Sequence, residues 1–461
     1  MKPVHRASPT AAVVVAYVTG AFMAAMDLHI VNVALPTLGR TFHASIAQVQ
    51  WTIVGYVLSL AVFIPASGWI GDRVGTKRTF LFALGTFTLA SALCGTAQNL
   101  GELIGARVVQ GIGGGMLLPT GTAMLFRAYP PERRARITRL LIVPIILAPA
   151  SAPIIGGLFT QDLSWRWVFL VNVPVGVAVF VFCAVNLEEY REHARGRFDL
   201  IGFVLGGGGL ALGLYALSEG SIRGWGSAAV LAAGLTGVLT LAVFARFEGR
   251  RADPILNLRL LHDRLFRATN VASMLNSAAL LGTLYLTPIF LQEVLGYTPI
   301  GAGTTTFLEA LGVLVASQSV GLFYSRLGPR AMAAGGAVVV CVLLLGFQLV
   351  DAGTNVWLLR AQLFLIGGAN TACYLAVQAS MFTTISHADT GHASAIFNTG
   401  RQASIAVTVA ILSAIVASVA GPPLVAFHDA YLAVAAISAL GAAAAFALIR
   451  TSDAAASMVR R

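Results

Sequence analysis

Runs of about 20 apolar residues recur from one end of this chain to the other, each long enough to cross a hydrocarbon core of about 30 Å. Fourteen are read, near 13–35, 49–70, 79–98, 101–126, 137–159, 165–187, 198–218, 226–246, 267–291, 300–324, 331–350, 355–383, 393–420 and 426–449. No hydrophilic stretch between them is long enough to fold by itself. A membrane β-barrel would alternate apolar and polar residues in short segments, and these runs do not. With 57% hydrophobic and 11% charged residues and a mean hydropathy of +0.81, the chain falls far from the roughly 25% charge of soluble domains. The reading is an all-α integral membrane protein with 14 transmembrane helices. The first run follows Lys2, His5 and Arg6 but exceeds the roughly 7–15 apolar residues of a cleaved signal, so it is read as an uncleaved anchor.

The net charge of +11 is a topology signal rather than a nucleic-acid footprint. With the N-terminus cytoplasmic, 24 of the 30 basic residues fall on inner segments, among them Lys2, Arg6, Arg73, Lys77, Arg78, Arg127, Arg133, Arg134, Arg136, Arg139, Arg195, Arg197, Arg326, Arg330, Arg450, Arg460 and Arg461. Only Arg40, Arg166 and Arg223 fall outside, with Arg107, Arg360 and Arg401 inside helices. Such asymmetry places both termini in the cytoplasm of a multi-pass protein of the cell (cytoplasmic, or inner) membrane.

Cys94, Cys183, Cys341 and Cys373 are scattered within spans and read as buried thiols. No metal site stands out, because His387, Asp389 and His392 share one loop of solvated character. No G-x-x-x-x-G-K-[ST] phosphate loop is present, which argues against nucleotide hydrolysis. The chain is not read as an enzyme, and no cofactor is expected.

The chain repeats itself. "GWIGDRVGTKR" at 68–78 matches "GLFYSRLGPRA" at 321–331, aligning Gly68, Arg73, Gly75 and Lys77 with Gly321, Arg326, Gly328 and Arg330. The same offset of 253 residues places Arg107 on Arg360, and Gly114 and Gly115 on Gly367 and Gly368. Two matches at one offset imply two parallel six-helix halves, residues 1–187 and 251–461, with two inserted helices in 188–250. Parallel halves are a transporter architecture, with substrate bound near the midplane between them.

These residues resemble the major facilitator superfamily, specifically its drug:proton antiporters with fourteen spans. Gly68, Asp72, Arg73, Gly75 and Lys77 match the family signature between helices 2 and 3. In "RVVQGIGGG", Arg107, Gln110, Gly111 and Gly113 match its helix-4 signature. In "APASAPIIGG" at 148–157, Pro153, Gly156 and Gly157 match the helix-5 exporter signature and Pro149 lies beside them, while Ala148 and Ala152 stand where the family usually has Gly. "WRWVFLVNVPVG" at 165–176 and "DLHIVNVALP" are close to the family's text, with His29 in place of the usual Thr. The resemblance implies an inner gating role for Asp72 and the loop around it, and a sealing role for helix 5. It also implies that Arg401 and Gln402, in "NTGRQ" with Asn398, line the inner half of the cavity.

Asp27 sets a physical question, since a charged Asp near a helix centre costs roughly 3 kcal/mol on insertion scales. It needs a partner, a cavity or a proton. At 1.5 Å per residue, Asp27 lies about 12 Å below an outer helix end at Leu35, Arg107 about 9 Å below Gly101, and Glu309 about 13 Å below its own helix start. Asp27, Arg107, Glu309 and His29 are therefore the candidates for proton coupling, with Asn32 and Gln110 beside them in the cavity. Against this, Arg107 can snorkel to the headgroups and His29 can be a neutral stand-in for Thr. Trp51, Tyr56, Phe63, Tyr285 and Phe290 are either substrate-facing aromatics or packing.

The sequence points to a proton-coupled exporter of lipophilic or cationic small molecules, working by alternating access as a monomer in the bilayer. Protons are its coupling ion, and nucleic acid is not a partner. The alternatives are an exporter of one specific lipid, antibiotic or metabolite on the same fold, and a non-transporting sensor with a degenerate core.

Overall fold

The computed structural model describes residues 9–129, 141, 147–191, 198–251, 254–386, 389–418 and 422–449. The basic residues Lys2, Arg6, Arg133, Arg134, Arg136, Arg139, Arg195, Arg197, Arg450, Arg460 and Arg461, the start of the fifth run and His387 lie outside them.

Twelve helices are long and apolar enough to cross a membrane. They are α1 (Thr10–Phe42), α2 (Ile46–Val74), α3 (Thr76–Thr96), α6 (Trp167–Asn186), α7 (Leu200–Arg223), α8 (Ala228–Glu248), α9 (Arg264–Glu293), α10 (Pro299–Val320), α11 (Arg326–Leu349), α12 (Val356–Met381), α13 (Thr390–Ser418) and α14 (Pro423–Leu448). Two more complete the set of fourteen. α4 (Leu100–Ala128) carries Glu102, Arg107 and Arg127, and α5 is the helix over 147–158. No strand occurs among the described residues.

The two copies of the loop motif share one backbone feature. Gly75 ends α2 at φ 109°, and its repeat partner Gly328 interrupts the α10–α11 passage at φ 75°. Both sit in the left-handed region, where an L side chain is strained and glycine is not. The packing repeats too: α4 lies against α2 and α3, and α12 against α10 and α11. α7 pairs with α8 and touches both α2 and α13. The inserted pair thus covers the seam where one half meets the other, presenting exposed Leu235, Val238 and Leu239 outward, as a lipid-facing surface would.

α1 corrects one reading. The apolar run stops before Pro36, a residue that removes one backbone donor and commonly ends a helix. The helix instead continues through Pro36 to Phe42 and closes at His43, φ 50°. Burial of Leu35 and Leu38 holds the extra turns. Measuring depth from Leu35 therefore misplaces Asp27, which stands near the middle of α1.

The two halves pack along α2 and α13 and also touch at the ends of α1 and α9 that lie away from the basic segments. Arg40 Nη1 is 2.9 Å from Glu293 Oε1, Gln292 Nε2 donates to Val33 O at 3.0 Å, and Ile300 N donates to Gln161 Oε1 at 3.3 Å. Among the described residues, every hydrogen bond from one half to the other lies at this end.

Candidate functional site

Asp27 on α1 and Arg107 on α4 form an ion pair, and neither side chain has any exposed surface. Arg107 therefore does not snorkel. Gln110, three residues after Arg107 on the same helix face, bridges the pair. Its Oε1 accepts from Arg107 Nη1 at 2.7 Å, and its Nε2 donates to Asp27 Oδ1 at 2.8 Å and to Ser91 Oγ at 3.1 Å. Asn172 Nδ2 donates to Asp27 Oδ1 at 3.2 Å and to Ser91 Oγ at 3.3 Å. Arg107 Nε donates to Thr52 O at 2.8 Å, and its guanidinium lies 4.0 Å from the Tyr56 ring centroid.

Five helices, α1, α2, α3, α4 and α6, thus contribute to one network around the Asp27 carboxylate. Its three donors, Arg107, Gln110 and Asn172, are what a buried charge needs to exist at all. The satisfaction is incomplete: Arg107 Nη2 is buried without a partner, a shortfall of about 1–3 kcal/mol.

The other predicted residues distribute differently. Gln110, read as cavity-lining, is instead sealed inside the ion-pair network, because its amide is the one group able to serve both charges. Glu309 does not join Asp27 and Arg107. It lies on α10 in the second half, fully buried, with no hydrogen-bond partner for either oxygen among the described residues. In the repeat it occupies the place of Tyr56, and depth along a helix axis cannot say which half a group faces. His29 is half-buried with Nδ1 unpartnered, and Arg401 of the other half acts electrostatically on its ring. Arg401 Nε and Gln402 Oε1 are likewise buried without partners. Asn32 is buried, and Asn398 Nδ2 bonds within its own helix to Ser394 O at 2.9 Å. Tyr56, Tyr285 and Phe290 are fully packed, and Phe63 packs edge-on against Phe203 of the insert.

At the basic face, Asp72 accepts from Arg127 Nη2 at 3.0 Å, so it ties α2 to α4 within one half rather than bridging the halves. Glu189, which the sequence did not single out, holds the loop. It accepts from Lys77 N at 3.1 Å and lies 3.6 Å from Arg78 Nε. Thr76 N donates to Tyr190 O at 3.0 Å. Arg73 stacks over Trp69, and a Cβ at Gly68 would meet nothing. Ser325, the second-half counterpart of Asp72, lies beyond what the structure describes of side chains.

α5 closes the opposite end. A Cβ on Gly156 would come 2.8 Å from Ile30 O of α1, and one on Gly157 would come 2.7 Å from Pro299 O of α10. Pro153 is buried and faces Gly303 of α10, while Pro149 is half-buried. Gly156 thus lets α5 approach α1 within the first half, while Gly157 and Pro153 bring its backbone against α10 of the second, as small residues do between membrane helices. Cys94, Cys183, Cys341 and Cys373 are free, and no group of metal-ligating side chains occurs among the described residues.

Comparisons with known proteins agree with this architecture. The family model described as Major Facilitator Superfamily matches residues 17–408. A multidrug resistance protein B homolog of Mycobacterium tuberculosis is 35% identical over 78% of this chain, and the match spans 64% of that relative's length. A putative multidrug resistance protein MdtD of Serratia proteamaculans is 32% identical over 90% of this chain and 87% of its own. Among solved structures, a peptide transporter POT in complex with sulfate superposes with a TM-score of 0.69 at 15% identity, covering 94% of each chain. The human organic anion transporter MFSD10 gives 0.62 at 14% identity, covering 95% of this chain and all of that one. Fourteen helices, twelve of them long and apolar enough to cross a membrane, and a family match across most of the chain lead to one conclusion: the chain belongs to the Major Facilitator Superfamily, a family of transporters and not of enzymes.

Proposed function

We propose that the protein is a proton-coupled exporter of amphipathic small molecules, working by alternating access in the cytoplasmic membrane with both termini inside. Residues 1–187 and 251–461 are the two moving halves, and 188–250 is the inserted pair. The multidrug names of its relatives support the substrate class. The observation that carries the coupling is the sealed Asp27–Arg107 pair.

Burial favours the neutral acid, whereas a neighbouring guanidinium favours the carboxylate. One group can therefore take or release a proton according to whether Arg107 is beside it. The outward-closed arrangement, with the pair formed, fits the stage at which Asp27 has given up its proton. When the outer contacts part, Asp27 separates from Arg107 and is recharged from outside. Substrate leaves in that state, so proton entry and substrate exit alternate at one site. Protons are the only coupling species, with no bound cofactor, and a monomer suffices because both halves lie in one chain. His29, Arg401 and Gln402, each with a buried polar atom that has no hydrogen-bond partner among the described residues, are the cavity's substrate contacts.

The test is proton release from purified protein on addition of a lipophilic cation at fixed pH, followed with a pH dye in weak buffer. Release from wild type and none from Asp27→Asn supports the reading. Equal release from both contradicts it.

A further inference from the structure

A second cavity lies apart from the ion pair. It has a volume of about 340 Å³, within the range of about 300–1,000 Å³ for small-ligand pockets. Its walls come from α2, α7, α8, α9 and α13, with Val62, Phe203, Phe244 and Met274 among the lining side chains. Gly207 of α7 faces it, and a Cβ there would already stand 3.1 Å from Val62 Cγ1. Arg267, Asn270 and Thr399 are the polar side chains of an otherwise apolar wall. All these positions lie toward the helix ends that carry the basic residues: Phe203 in the first turn of α7, Phe244 in the last turns of α8, and Arg267 in the first turn of α9.

Charge decides what kind of molecule fits. Arg267 is exposed at the rim. Among the described residues it donates only to Leu261 O, at 3.0 Å, and forms no ion pair. Arg267 is the basic side chain among the lining residues. Each of the nearby acids is held by a protein group through at least one oxygen. Asp199 caps α7 through Gly202 N at 3.0 Å and lies 3.5 Å from Arg251 Nε. Glu248 accepts from Leu256 N at 2.9 Å, and Asp263 accepts from Phe266 N at 2.7 Å. The rim therefore offers the Arg267 guanidinium to an anion, above a slot that takes hydrocarbon. Leu200, Ile201 and Val204, next to it on α7, are exposed, so the slot adjoins a surface suited to lipid.

We infer that this cavity binds an anionic phospholipid of the leaflet on the basic side, with one acyl chain between α2, α7 and α13 and its phosphate at Arg267. The inserted pair then makes the seam between the halves sensitive to lipid, because the chain lies against α2 and α13 together. A cationic lipophile is disfavoured at the same rim by like charge.

Full-length protein in proteoliposomes tests this with phosphatidylglycerol and phosphatidylcholine, each carrying a photoactivatable diazirine in the acyl chain, followed by peptide mass spectrometry. The phosphatidylglycerol probe should label peptides containing Phe203, Phe244 and Met274 about fivefold more than the phosphatidylcholine probe. Arg267→Gln should bring the two to the same level. Gly207→Leu, which fills the slot, should lower labelling by both. If it fails to express, the headgroup comparison in wild type and Arg267→Gln decides alone. Equal labelling by both lipids in wild type, a preference that survives Arg267→Gln, or displacement of the label by a lipophilic cation would overturn the inference.

Discussion

Gln110 Nε2 donates to Asp27 Oδ1 at 2.8 Å although the two residues stand 83 positions apart on different helices. Its other amide atom accepts from Arg107 at 2.7 Å, so one side chain fixes the geometry between acid and base. Gln110→Leu should cost about 1–3 kcal/mol of stability through the groups left unpaired. It should also slow proton-driven transport more than it weakens substrate binding. Gln110→Glu keeps the shape but adds a second acid competing for Arg107, and should shift the pH dependence of transport. Thermal unfolding and transport measured across pH separate the two effects. A pH profile identical to wild type in Gln110→Glu would remove Gln110 from the coupling.

The partly exposed Asp72–Arg127 pair, 3.0 Å apart, is worth at most about 1 kcal/mol as a stabilising contact. Any larger effect must come from its part in the transport cycle. Asp72→Asn should reduce turnover several-fold while expression and equilibrium substrate binding stay near wild type. Arg127→Ala should do the same, with the double variant no worse than either. Unchanged turnover in Asp72→Asn would leave the loop as a topology signal alone.

Much of this was legible in the sequence, and what was missed has a physical reason. The apolar runs located the helices, and the glycines aligned by the repeat, Gly75 and Gly328, both take positive φ, because lipid and left-handed backbone each demand particular residue types. Asp27 and Arg107 announced themselves because charge is rare in a span. Ser91, Asn172 and the Thr52 carbonyl did not, since small polar groups within helices are common and a backbone oxygen has no sequence signature. Asn172 did stand in a quoted motif, "WRWVFLVNVPVG", and its amide was the available clue. Glu309 was grouped with Asp27 on depth alone. The apolar run ends near Leu35 whereas α1 continues to Phe42, so the contact of Arg40 with Glu293 lies outside the span that hydropathy marks.

That contact is the third test. Arg40 and Glu293 join the halves at the closed end, so a cycle of alternating access must break it at every turnover. A variant with Arg40→Cys and Glu293→Cys should transport when reduced, stop when the two thiols are joined by a bifunctional methanethiosulfonate reagent that replaces the length of the two side chains, and recover with reductant. The native cysteines are buried or half-buried and free, so they should not interfere. Continued transport by fully cross-linked protein would mean that this end does not open.

The central claim is that Asp27 exchanges the proton that drives export. Removing Arg107 alone leaves a buried acid without its partner, a change that costs about 3–5 kcal/mol unless the acid binds a proton. Arg107→Ala should therefore impair release rather than uptake, lowering turnover at every pH gradient. Asp27→Asn keeps the shape and the hydrogen-bonding capacity of the site but has no proton to give. The decisive measurement is substrate efflux from proteoliposomes under an imposed pH gradient, wild type against Asp27→Asn at matched protein levels. The account predicts that Asp27→Asn binds substrate and equilibrates it down its own gradient, yet shows no acceleration when the pH gradient is applied. Gradient-driven efflux by Asp27→Asn at the wild-type rate would contradict it.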